Sequence, residues 1–247
     1  MTLTPVSSVT ARSPHEDGLR KAPLGSGEVS VAVRSGVLPV NHALVDAVLA
    51  IQPSPLAANF YLDASDLEGG FSTTASQRRD RLFAHLSSVV GGDLVLVGEA
   101  AGWQGARQSG VAFTSPASVG LVGSKEPSAT AVHGLLSKAG LLGGALLWNA
   151  FPLHPHQIGQ PRTNRTPTAS ELDAGLGALR LAIDGRRILC VGRKSEAQVE
   201  LILGHSIPSV VDASVNSRAI RVRHPSNGGS TQFRDESAQA LRIWKLL

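Results

Sequence analysis

The chain has 247 residues, 42% of them hydrophobic, so it can build a sizeable core without disulfide support. Its single cysteine, Cys190, excludes a disulfide framework, a Cys-ligated zinc site and an iron–sulfur cluster. A net charge of +4, with only 17% of residues charged, suits a polyanionic partner and suits equally a basic protein that has none.

Residues 1–27 are rich in Ser, Thr, Pro and Gly and read as an irregular N-terminal arm. Residues 28–247 read as a single α/β domain. The arm has no apolar stretch of signal-peptide type, and no run in the chain approaches the roughly 20 apolar residues of a membrane span. A soluble, cytoplasmic protein is expected. Val29–Val33 predicts a short strand and His42–Gln52 a short helix. Ser76–Val90 predicts an amphipathic helix, because Leu82, Leu86 and Val89 recur at helical spacing.

Leu94–Gly98 reads as a buried strand, Ser128–Leu142 as a helix and Gly144–Phe151 as a second strand. Pro167 and the Thr168-x-x-Glu171 capping box open the next helix. Arg186–Gly192 is a third strand, Ser195–Gly204 a helix and Ala219–Arg223 a fourth strand. In the last, Ile220 and Val222 alternate with Arg221 and Arg223, giving one apolar and one basic face. A helix over Asp235–Leu247 closes the chain. Strands alternating with helices imply a mostly parallel sheet.

Polar or Gly-rich residues follow all four strands: GEAAG, NAFPLHP, GRKSE and HPSNGG. In open α/β sheets the ligand crevice lies beyond the carboxyl ends of the strands. Glu99, Asn149, His154 and His224 are therefore expected to face one crevice. Each also has a plain structural reading. Glu99 suits a helix start, Phe113 a core, Asn149 a loop tie and His224-Pro225-Ser226 an ordinary turn. The glycines of the 98–110 loop have neither dinucleotide nor P-loop spacing, and no GxSxG elbow occurs.

In order and together, these pieces resemble the uracil-DNA glycosylase superfamily. GEAAGWQGARQSGVAFTS resembles its first motif, LLWNAFPLHP its strand ending in the pocket asparagine, and HPSNGG its His-Pro-Ser loop. PRTNRTPTASEL resembles a segment of the iron–sulfur branches, whose four cysteines this chain lacks. The resemblance implies an α/β three-layer sandwich around a central, mostly parallel four-stranded sheet. It also implies a monomeric, monofunctional glycosylase acting on DNA that contains uracil or another deaminated base, with no cofactor and no metal. By resemblance Phe113 stacks the flipped base, Asn149 reads its edge, and Gly98, Ala100 and Gly102 line the pocket. His224 donates to the base oxygen that gains charge, and Glu99 positions water and stabilises the cationic sugar. Ser226 and Asn227 approach DNA, and Arg221 and Arg223 contact phosphates.

The sequence departs from the family pattern at several of these positions. Ala100 stands where many members carry Asp or Asn, and Ser115-Pro116 where one branch has an Asp. Gly102 stands where some carry a tyrosine that excludes thymine's methyl, and Asn227-Gly228-Gly229 where the best-known branch has a leucine wedge. Gln232 or Phe233 is expected to fill that gap. The alternatives are a family member that binds damaged DNA with catalysis weakened or lost, which Ala100 favours, and a small-molecule nucleoside hydrolase.

Overall fold

A computed structural model describes residues 37–68 and 70–247. The expected arm and the Val29–Val33 strand lie outside the described residues. Four parallel strands form the centre: β2 (Leu94–Ala100), β3 (Ala145–Phe151), β5 (Arg187–Val191) and β6 (Ala219–Val222), in the order β3-β2-β5-β6. Two-residue strands β1 (Ala57–Ala58) and β4 (His154–Pro155) make a separate antiparallel pair.

Strands β2, β3 and β5 are largely apolar runs because both faces of the sheet are covered, whereas the edge strand β6 exposes Arg221. Side chains alternate between the faces. Val95 and Val97 point into a core formed with α1 (Val37–Leu49), α2 (Ala75–Ser88), α5 (Ala169–Ile183) and α6 (Arg193–Leu203). Leu94 and Leu96 point into a second core, formed with α4 (Pro127–Lys138) and α7 (Ser230–Ile243). The result is the expected three-layer sandwich. Each buried Leu or Val of β2 contributes about 1.5–3 kcal/mol.

The Thr168 box forms as expected. Thr168 Oγ1 accepts from Glu171 N at 3.3 Å, and Glu171 Oε2 accepts from Thr168 N at 2.7 Å. A second box, Thr74 with Gln77, opens α2. The last helix starts at Ser230, five residues before Asp235, because Phe233 extends its buried face of Ala240, Leu241 and Trp244 by two turns. A one-turn helix, α3 (Ala106–Ser109), interrupts the loop after β2 and has no apolar periodicity to announce it. Among the described residues no helix is long and apolar enough to cross a membrane.

Candidate active site

The carboxyl ends of β2, β3 and β6 open onto a cleft of about 770 Å³. Glu99, Ala100, Gly102, Phe113, Asn149, His224, Ser226 and Asn227 line it, together with Glu126, Ser128, Asn164, Arg165 and Thr166. Residues that the sequence separates by well over a hundred positions thus share one cavity. The parallel register is the reason: Gly98 on β2 lies opposite Asn149 on β3.

Gly98 does not itself line the cleft but lies beneath Asn149 and Phe113, which do. A β-carbon there would stand 2.5 Å from Asn149 Oδ1 and 2.6 Å from Phe113 Cζ, so only glycine lets the ring and the amide approach the strand together. Phe113 is 7% exposed and has φ +52°, a conformation that a bulky residue adopts only when its surroundings impose it. Thr114 Oγ1 donates to Val111 O at 2.7 Å, and His133 on α4 hydrogen-bonds the Phe113 backbone. Both hold the turn. Its ring is therefore presented to the cavity from a fixed backbone.

Glu99 is half-buried. Burial raises its carboxyl above the usual range, while Lys194 and a hydrogen bond from Thr166 oppose the rise. Thr166 comes from the PRTNRTPTASEL stretch, which also places Asn164, whose Oδ1 accepts from Trp103 N at 2.9 Å. That bond ties the stretch to the Glu99 loop. Ala100 leaves an apolar wall next to Glu99.

His224 sits at the mouth of the cleft. Its Nδ1 accepts from Ser226 N at 3.1 Å and lies 2.7 Å from Ser226 Oγ. An Nδ1 that accepts a backbone N–H carries no proton, which leaves the proton of the neutral ring on Nε2. Burial, and then the neighbouring Arg223, lower the pKa and favour that neutral ring. Asn227 turns the loop at φ +52°, a value that asparagine tolerates better than most residues.

Arg221 and Arg223 do not line this cleft. They border an adjoining cavity of about 270 Å³ that shares His224. Both are exposed, and Arg221 Nε lies 3.3 Å from Glu196. Gln232 borders the same cavity. Phe233 is fully buried in the core and cannot fill a gap in DNA, which corrects that expectation.

His154 is also corrected. It does not line the cleft but is fully buried, with Nδ1 2.8 Å from Ala101 O and Nε2 3.1 Å from Pro161 O. Two carbonyls favour the charged ring, yet burial outweighs them and lowers its pKa to about 4. A neutral His154 donates through one nitrogen and ties the Glu99 loop to the following segment. A histidine three residues past an apolar strand gives no sequence signal to separate these roles. Glu126 was missed because it stands alone before Pro127 in an unremarkable polar stretch. Among the described residues no three His, Cys, Asp or Glu side chains are grouped to hold a metal ion.

No family model matches the chain, and no curated protein matches it. Among solved structures, Pedobacter heparinus SMUG2 aligns at TM-score 0.53 and 12% identity, over 83% of this chain and 98% of that one. Nitratifractor salsuginis UNG aligns at TM-score 0.43 and 15% identity, over 85% of this chain and 95% of that one. Both are uracil-DNA glycosylase superfamily members.

Proposed function

The chain has the uracil-DNA glycosylase fold, and we propose that it works as a DNA glycosylase, hydrolysing the N-glycosidic bond of uracil or a related deaminated base. The observation that carries this reading is the meeting of Phe113, Asn149, Glu99 and His224 in one cleft at the carboxyl end of the sheet. A base inside a duplex is out of reach of such a cleft, so the substrate nucleotide must be extruded.

The flipped base lies against the Phe113 ring, and the Asn149 amide reads its Watson–Crick edge with one donor and one acceptor. Water held by Glu99 attacks C1′ as the glycosidic bond breaks and its electron pair leaves with the base. Glu99 takes the water proton, and its carboxylate faces the positive charge that develops on the sugar. His224 donates from Nε2 to the base oxygen that gains negative charge, which is where a fixed donor lowers the barrier. The products are an abasic site and the free base. Ser226 and Asn227 approach the DNA backbone, and Arg221 and Arg223 supply non-specific phosphate attraction. The protein acts as a monomer in the cytoplasm.

A second reading has its own observation. Ala100 places a methyl group beside Glu99 where a polar side chain would help to hold water. On that reading the protein binds damaged DNA without cleaving it. Labelled oligonucleotides, single- and double-stranded, each holding one uracil, hypoxanthine, xanthine or thymine mismatch, separate the two. Alkali-labile cleavage of the uracil substrate supports the enzyme. Lesion-selective binding without cleavage supports the binder, and neither result leaves only a shared fold.

A further inference from the structure

Glu126 is a carboxyl group that the mechanism above does not use. It occupies the N-cap position of α4, yet its side chain makes no capping bond to that helix. It hydrogen-bonds Ser128 and turns into the cleft instead. Among the described residues it forms no ion pair. Burial raises its pKa, so holding it there costs free energy. A half-buried acid with no ion-pair partner and no capping bond is unusual away from a site.

Its position is defined by two glycines. A β-carbon on Gly102 would stand 2.9 Å from Glu126 Oε1, and one on Gly105 would stand 1.9 Å from Oε2. The carboxyl therefore fills the space that a side chain at either position would project into the cleft. Gly105 also borders Thr114 O, next to the Phe113 turn. Gly102 and Glu126 thus line the same cleft as the Phe113 ring, with Gly105 packed behind the carboxyl.

This inference rests on the reading of the cleft as a base pocket. With one face of a pyrimidine on Phe113, its Watson–Crick edge on Asn149 and its C2 oxygen toward His224, one edge is left over. That edge carries C5, and Gly102 with Glu126 is a part of the lining that the other contacts leave free, beside Asn164, Arg165 and Thr166. We propose that Glu126 is a specificity-determining residue whose carboxyl rejects an apolar substituent at C5 of the extruded base. A hydrogen at C5 leaves the carboxyl its hydration and its bond to Ser128. A methyl group presses against it and offers no hydrogen bond in return. One methyl group in a fitted site changes selection by about tenfold or more.

The test uses equilibrium binding, which does not require cleavage. Duplexes carry one 2′-fluoro-2′-deoxyuridine or its 5-methyl counterpart, and the proteins are wild type, Glu126→Gln and Glu126→Ala. The wild type is expected to prefer the 5-hydrogen probe by about tenfold or more. Glu126→Gln, which keeps the shape, retains most of that preference. Glu126→Ala brings the ratio near one by strengthening binding of the 5-methyl probe. Should the alanine variant fail to fold, Glu126→Asp retracts the carboxyl by one methylene and gives an intermediate ratio.

A wild type with no preference overturns the proposal, as does an alanine variant that weakens both probes equally. A preference that depends on Glu126 in a protein that cleaves nothing supports the proposal and sinks the enzyme reading. Cleavage of uracil with a ratio indifferent to Glu126 sinks the proposal alone.

Discussion

Phe113 and Gly98 are fitted to each other: the Cζ of the ring lies 2.6 Å from where a β-carbon on Gly98 would be. The ring that faces the cleft is thus seated directly on the backbone of the central strand. Replacing Gly98 with Ala must displace the ring or the Asn149 amide, which is equally close. Overpacking of this kind costs about 1–3 kcal/mol. The expected result is a lower urea midpoint, together with a loss of uracil excision larger than the stability change explains. Normal excision by Gly98→Ala would show that ring and amide need not be seated together.

On the proposed function, Asn149 supplies recognition of the base and not general attraction to DNA. Asn149→Leu leaves the base edge without its partners, and such a loss lowers selection by about a hundredfold or more. Binding to undamaged duplex should stay within about twofold, because phosphate contacts carry that term. Single-turnover excision and fluorescence anisotropy measure the two quantities. Parallel loss of both would remove the assigned role.

Arg221 and Arg223 are exposed and border the cavity next to His224. If each neutralises one phosphate, replacing either with Gln reduces the slope of log affinity against log salt by about one. The effect should be equal on damaged and undamaged DNA. Arg221 shares its charge with Glu196 at 3.3 Å, so the smaller change is expected there.

Stability should fall on the acid side of neutrality. His154 is buried and His85 half-buried, and desolvation lowers each from 6.5 to about 4. His85 Nε2 accepts from Leu147 N at 3.0 Å and cannot do so when protonated. Between about pH 6.5 and 4 the unfolded chain takes up protons that the native rings refuse, so unfolding gains protons and stability drops with pH. The loss is on the order of a few kcal/mol, complete near pH 4 and absent above neutrality. Denaturation midpoints across that range measure it. A flat profile would mean that neither ring is held neutral.

Three strands were readable as apolar runs, which a parallel sheet needs, and the fourth by the alternation of Ile220 and Val222 with Arg221 and Arg223. Thr168 and Glu171 marked a helix start because capping is local chemistry. The cleft was readable for Glu99, Asn149 and His224, since strand ends in a parallel sheet converge by topology alone. Phe113 followed from the resemblance. Glu126 was not readable: its role depends on a loop folding back over Gly102 and Gly105, which no periodicity encodes. His154 misled for a related reason, because a polar residue past a strand end can turn inward to two carbonyls as readily as outward to a ligand. Phe233 lay within a helix whose polar first turn hid its start.

On the proposed function, Glu99 activates water against a base held by Phe113 and Asn149. The most direct test is single-turnover excision from an oligonucleotide with one uracil, comparing wild type with Glu99→Gln at neutral pH. Cleavage by the wild type is expected, with a fall of about a hundredfold or more in the variant and substrate affinity retained. Equal rates in the two proteins, or no excision by the wild type, would contradict it.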